Sequence, residues 1–173
     1  TIFSRMRRED IININIKNDD VIVGLSSFGQ ASYENEYNSG IGSNGLTSAR
    51  HDVFSNYLAS KYPDSFNPLI PSDLVYSGNK KITEYCNEAN LTFGKLVLSP
   101  TRTYAPIIKK VIENCPKDKI HGIIHCTGGG QTKVLNFTQK THIIKDNLFE
   151  LPLVFELIQK QSKVDFKEMY AVF

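Results

Sequence analysis

Ile12-Asn13-Ile14-Asn15-Ile16-Lys17-Asn18-Asp19-Asp20-Val21-Ile22-Val23-Gly24-Leu25 carries two strand signals on either side of a turn. Ile12, Ile14 and Ile16 alternate with polar residues, the period-two pattern of a strand with one wet face. Asn18-Asp19-Asp20 supplies turn chemistry, and Val21 to Leu25 is a continuous apolar run suited to a strand buried on both faces. Together these residues predict a hairpin.

Downstream, Ser26 to Gly45 is polar and rich in Gly, Ser, Asn and Tyr, so it reads as a long surface loop, functional or mobile. Leu46, Ala49, Val53, Tyr57 and Leu58 fall on one helical stripe with Ser43 or Asn44 as cap, which predicts a helix from Gly45 to Lys61 ended by Pro63. Residues 62 to 79 form a proline-rich connection, and Lys95 to Leu98 reads as a short strand. Thr101 caps a second helix with Tyr104, Ile107, Ile108, Val111 and Ile112 inward, and Pro106 is tolerated there because it lies in the first turn. Ile120 to Cys126 reads as a buried strand, Thr141 to Lys145 as another, and Pro152 to Gln161 as a third helix with Leu153, Val154, Leu157 and Ile158 inward. Strands and helices alternating after a hairpin predict a layered α+β domain with a mixed sheet.

The 173 residues fit one domain. Twenty Lys plus Arg against 18 Asp plus Glu, with 40% hydrophobic residues, argue against a nucleic-acid binder held by bulk charge and against a disordered chain. No apolar run reaches the roughly 20 residues needed to span a bilayer, so the expectation is a soluble, cytoplasmic protein. Three cysteines, Cys86, Cys115 and Cys126, lack the spacing of a metal site or a disulfide framework, and Cys126 is expected in the core. The chain starts at Thr1 and stops in an apolar stretch at Phe173, and both ends look cut from a longer polypeptide.

Gly40-Ile41-Gly42-Ser43-Asn44-Gly45 satisfies GxGxxG, yet a dinucleotide turn needs its strand to run straight into the glycines, and a long polar stretch intervenes here. Leu46 stands where a P-loop needs lysine. What the segment does offer is the backbone amides of Ser43, Asn44 and Gly45 at a helix N-terminus, where the dipole favours an anion. Arg50 braces that loop or reaches the anion. His125-Cys126-Thr127-Gly128-Gly129-Gly130 ends a strand in three glycines, a structural turn or a place where a ligand meets exposed amides. Adjacent strand residues face opposite sides, so His125 and Cys126 form no local catalytic pair, and His121 and His125 are too far apart on a strand to share a metal. Arg102 lies in the first turn of its predicted helix, against the dipole; it serves a partner, or pairs with a nearby carboxylate. No acidic cluster suits a metal: Asp19 and Asp20 sit in the turn, and Glu34 and Glu36 in the loop.

Four blocks in this order, Gly24-Leu25-Ser26-Ser27-Phe28-Gly29, Ser43 to Arg50, Leu98 to Tyr104, and His121-Gly122 with His125 to Gly130, resemble the C-terminal half of phosphoribosylformylglycinamidine cyclo-ligase, also called aminoimidazole ribonucleotide synthetase. The resemblance spans nearly the whole chain, and Phe166 to Phe173 is similar to the segment preceding an Asn-Met-Gly or Asn-Cys-Gly element in that family. It implies a layered α/β/α domain of an ATP-dependent enzyme of purine synthesis that closes the imidazole ring of formylglycinamidine ribonucleotide. ATP and Mg²⁺ would be held mainly by an N-terminal domain not present in this chain, which would also make a homodimer; the chain alone would be inactive. Carried over by position, the residues expected at the phosphoribosylated substrate are Ser26, Ser27, Gly29, Ser43, Asn44, Gly45, Arg102, His125, Thr127, Gly128, Gly129 and Gly130. No catalytic residue and no metal ligand is assigned.

Two departures stand out. Gly42 replaces a histidine common before Ser-Asn-Gly, and Gln30 to Gly42 looks inserted, so the insertion closes over substrate, binds another subunit or decorates the surface. Gln131 to Asn136 lacks the Asn and Pro-Arg common after the glycines. The competing readings are a related phosphotransferase of the thiamine monophosphate kinase or selenophosphate synthetase type, and a non-catalytic binding domain. Neither nucleic acid nor membrane is an expected partner.

Overall fold

The computed structural model describes residues 3–42, 45–99, 101–127 and 129–172. Its core begins with the stripe read at the C-terminal end of the chain. Leu153, Val154, Leu157 and Ile158 form one side of helix α5 (Leu153–Ser162), where Val154 and Ile158 are fully buried. Helix α1 (Leu46–Val53) lays Ala49 and Val53 against α5, and α3 (Phe93–Val97) adds Leu96 and Val97. Met169 of α6 (Phe166–Val172) closes one end. Fully burying Val53, Leu96, Val97, Val154 and Ile158 contributes on the order of 1.5–3 kcal/mol each, so this helix-on-helix contact holds the fold.

The single helix expected from Gly45 to Lys61 is two helices, α1 and α2 (Tyr57–Lys61). Between them Phe54 and Ser55 leave the helix and make parallel bridges to Lys80 and Gly78. The crossing is tight enough that a Cβ on Gly78 would stand 2.3 Å from the carbonyl oxygens of Asp52 and Val53. Tertiary pairing therefore overrides helical periodicity at this point. Gly45, at φ 74°, is the N-cap of α1; the expected caps Ser43 and Asn44 lie outside the described residues.

Lys95 to Leu98 is not a strand. The Thr92 hydroxyl accepts the Lys95 N–H at 3.3 Å and starts α3 one residue later. The second predicted helix forms as α4 (Ala105–Asn114), with Pro106 in its first turn, but it buries no residue completely, and Ile112 is exposed.

Regular β-structure among the described residues is one antiparallel pair, β1 (Tyr85–Cys86) with β2 (Leu91–Thr92), so the chain is mixed α and β. The expected hairpin keeps its turn, where the Lys17 N–H reaches the Asp20 carboxylate at 2.8 Å and Asp19 has φ 68°. Its arms make no ladder, and Val21 and Val23, expected to be buried, are 86% and 78% exposed. Ile120–Cys126 and Thr141–Lys145 likewise form no strand, Ile123 and Ile144 are exposed, and Cys126 is on the surface instead of in the core. Apolar alternation records what a strand could bury, but a ladder needs neighbours as well, and pairs of isolated strands are marginal.

The proline-rich connection wraps α1. Tyr76 packs its ring on His51 at 4.7 Å and on Phe66 at 6.1 Å, and its N–H donates to His51 Nδ1 at 3.2 Å. His51 is therefore a buried imidazole protonated on Nε2, and burial, helped by Arg50, pushes its pKa below the ordinary histidine value. The unfolded chain takes up a proton near pH 6.5 that the folded chain refuses, so stability is complete above that pH and declines as pH falls toward the folded value. Urea unfolding between about pH 5.5 and 7.5 should show wild type losing stability on acidification more steeply than His51→Asn, which keeps an acceptor for Tyr76. Parallel slopes would contradict this.

Candidate functional site

Arg102 sits in the extended segment before α4, two residues ahead of the cap Tyr104, so the helix-dipole reason for singling it out does not apply. Its side chain is only 6% exposed. A guanidinium carries five N–H donors, and here each has an acceptor. Nε and Nη2 donate to the two oxygens of Glu34, both at 2.8 Å. Nη1 donates to the carbonyls of Ser26 at 2.7 Å and Phe28 at 3.1 Å, and Nη2 also reaches the carbonyl of Gly29 at 2.8 Å. A buried cation with this many charge-assisted bonds is a fastening for the loop it grips.

The pair has matching electrostatics. The hydrogen bonds from Arg102 hold the Glu34 carboxyl below the usual carboxylate range; burial opposes this, and the Ala31 N–H at 2.7 Å assists. Glu34 in turn raises Arg102 further, so both are charged at neutral pH. Neither a lone acid in a polar loop nor an arginine 68 residues away announces the other in the sequence.

The segment expected to be inserted is fastened at several points. Gly29 and Asn38 exchange both backbone hydrogen bonds at 2.9 Å and close residues 30–37 into a loop. The Tyr33 hydroxyl donates to the Thr103 carbonyl at 2.8 Å, Lys95 pairs with Glu36 at 2.6 Å, and the Ser39 N–H donates to Ser99 Oγ at 3.1 Å. Asn38, Ser39 and Ile41 are buried. The expected loose surface loop is thus an ordered layer against residues 95–103. Tyr33, Glu36, Tyr37, Lys95, Leu98 and Thr103 are among the residues lining an open groove beside it.

The structure brings the first and third motif blocks together, with His125 of the fourth beside them. Ser26, Ser27 and Gly29 lie on the Arg102 side chain or next to the residues it holds, and a Cβ on Gly40 would meet Ser27 Oγ at 2.7 Å. A Cβ on Gly42 would meet Thr101 Oγ1 at 3.4 Å. His125 joins them through Tyr104, ring on ring at 6.1 Å. The glycine corner turns elsewhere. Gly129 has φ 89° and caps a 3-10 helix, Gly130–Phe137, and Gly130, with φ 45°, packs so tightly that a Cβ would lie 2.6 Å from the Tyr170 carbonyl oxygen. Thr127 accepts the Gly130 N–H at 3.3 Å through its carbonyl. The groove beside Arg102 is lined by neither Gly45 nor Gly129. Ser43, Asn44 and Gly128 lie outside the described residues.

Replacing Arg102 by alanine removes the guanidinium that neutralises a mostly buried carboxylate and that donates to the carbonyls of Ser26, Phe28 and Gly29. Breaking a buried pair from one side costs about 3–5 kcal/mol, so Arg102→Ala should lower unfolding free energy by roughly that amount in urea titration. A loss within about 0.5 kcal/mol, typical of surface sites, would contradict the burial described.

No family model matches the chain. Among curated proteins it is similar to phosphoribosylformylglycinamidine cyclo-ligases. The protein of that name from Pseudothermotoga lettingae is 30% identical over 161 residues, covering 91% of this chain and 36% of the relative. That from Carboxydothermus hydrogenoformans is 31% identical with the same coverages, and that from Methanococcus vannielii is 30% identical across 100% of this chain and 40% of its own length. The chain thus spans about two fifths of the length of the curated relatives it matches. Over 91% to 100% of its length, this chain is a relative of the phosphoribosylformylglycinamidine cyclo-ligases.

Proposed function

We propose that the chain is the C-terminal domain of an ATP-dependent cyclo-ligase that converts formylglycinamidine ribonucleotide to aminoimidazole ribonucleotide. The observation that carries this reading is the similarity to cyclo-ligases over 91% to 100% of the chain, matched to only 36% to 40% of their length. In this reading a phosphoryl group passes from ATP to the formyl oxygen, the amidine nitrogen attacks the activated carbon, and phosphate leaves. ATP, Mg²⁺ and the homodimer contact belong to an N-terminal domain. The described residues contain no group of three His, Cys, Asp or Glu side chains able to hold a metal, so no metal-dependent step is derived from them.

The part played by this chain is to receive the phosphoribosyl end of the substrate. Ser26, Ser27 and Gly29, with the amides of Ser43, Asn44 and Gly45 ahead of α1, are proposed to face phosphate and ribose. His125 and Thr127 to Gly130 are proposed to complete that side of the cleft. Arg102 acts in this reading by holding the first of these loops, since its donors are already engaged within the chain. The layered α/β/α arrangement is also part of the proposal. It is supported by the apolar side chains of Val21, Val23 and Ile123, which stand exposed on extended segments, and by the Asn15 N–H that donates to the His121 carbonyl at 2.8 Å. No helix among the described residues is long and apolar enough to cross a membrane.

A ligand that binds only the folded state stabilises it by about 2.7 kcal/mol at a hundredfold excess over Kd. Formylglycinamidine ribonucleotide should therefore raise the melting temperature of the protein measurably, and the 173-residue chain alone should show no ATP-dependent ring closure. Absence of any shift with the ribonucleotide, or turnover by the chain alone, would overturn the reading.

A further inference from the structure

Glu34 comes from the segment that interrupts the family pattern, yet it meets the guanidinium that grips the Ser26–Gly29 loop. A trans peptide points its C=O and the following N–H in opposite directions. Arg102 draws the carbonyls of Ser26, Phe28 and Gly29 toward itself, so the N–H groups of Ser27, Gly29 and Gln30 face away from the guanidinium. The Gly29 N–H closes onto the Asn38 carbonyl at 2.9 Å. Those of Ser27 and Gln30 have no acceptor among the described residues, and neither does the Ser27 hydroxyl. The clamp therefore directs two backbone donors, those of Ser27 and Gln30, away from the cation, with the Ser27 hydroxyl beside Gly40.

Glu34 decides whether the clamp can form. Carbonyl oxygens alone leave a buried guanidinium with its full charge uncompensated, a costly state. The bidentate carboxylate neutralises that charge and fixes the guanidinium plane, which sets the direction of the remaining donors. The Ala31 N–H and the Gly29–Asn38 bridge hold the carboxylate in place from its own side.

From this geometry we infer that Glu34 is a positioning residue: through Arg102 it aims the Ser27 and Gln30 amides and the Ser27 hydroxyl at a phosphoryl oxyanion of the substrate. The inference rests on the substrate reading given under Proposed function. It makes the inserted segment a working part of the binding loop.

The test uses Glu34→Gln, Glu34→Asp, Arg102→Lys and Ser27→Ala in the protein, well below the melting temperature of each. Amide exchange at Gly29 and Asn38 reports the clamp, and titration with formylglycinamidine ribonucleotide, and separately with inorganic phosphate, reports binding. Glu34→Gln and Arg102→Lys should speed exchange at both amides and raise the ribonucleotide Kd about tenfold, or about 1.4 kcal/mol. Glu34→Asp should recover part of both effects, and Ser27→Ala should raise Kd with exchange unchanged. Tight wild-type binding that Glu34→Gln leaves intact, with only its stability reduced, would make the pair merely structural and overturn the inference alone. Failure of the wild type to bind the ribonucleotide would overturn the substrate reading, and the inference with it. Should Glu34→Gln not fold, an unchanged Kd in Ser27→Ala would overturn the inference.

Discussion

A buried guanidinium with an acceptor for every N–H organises one side of this molecule. Arg102 joins four carbonyl or carboxylate groups from residues 26–34 to the segment leading into α4. Around it, Ser39 meets Ser99, Tyr33 meets Thr103, and Glu36 meets Lys95. Each of these contacts is modest by itself. They share one geometry because Arg102 and Glu34 are both charged, both largely buried, and fully bonded.

The other side is held by apolar contact. Helices α1, α3 and α5 bury Ala49, Val53, Leu96, Val97, Val154 and Ile158 together, and Tyr76 on His51 seals the proline-rich connection onto them. The two halves meet through α1: its N-terminal approach at Gly40 and Gly42 lies on the Arg102 side, and its body lies in the core. A packed helix therefore fixes where the loop ahead of it can go. This is the usual relation between a rigid scaffold and the loops it carries.

Helices were legible in the sequence where one face is buried by one neighbour. The α5 stripe at Leu153, Val154, Leu157 and Ile158 is such a case, and α4 was readable from its periodicity and Pro106, although its cap is Tyr104 and not the expected Thr101. The break after Val53 was not, because it comes from a backbone crossing at Gly78, 25 residues farther on. The runs at Ile12–Ile16, Val21–Leu25 and Ile120–Cys126 have strand composition, but composition cannot name a pairing partner. The blocks that carry the family likeness were readable, and the first and third do assemble, with His125 beside them. Their physical connection was hidden. The value of Arg102 lay in Glu34, in a loop whose polar composition suggested mobility. The triple glycine likewise looked like a ligand corner, while Gly130 has a packing reason of its own in the carbonyl of Tyr170.

Because the Arg102–Glu34 pair underlies both the fastening of residues 30–39 and the direction of the proposed binding loop, its coupling energy is the most direct quantity to measure. A double-mutant cycle with Arg102→Ala, Glu34→Ala and the double variant isolates it. The geometry described here predicts a favourable coupling of about 2–3 kcal/mol, near the upper end for contacting residues. Additivity within about 0.3 kcal/mol would contradict it, and the loop would then owe its shape to something other than this pair.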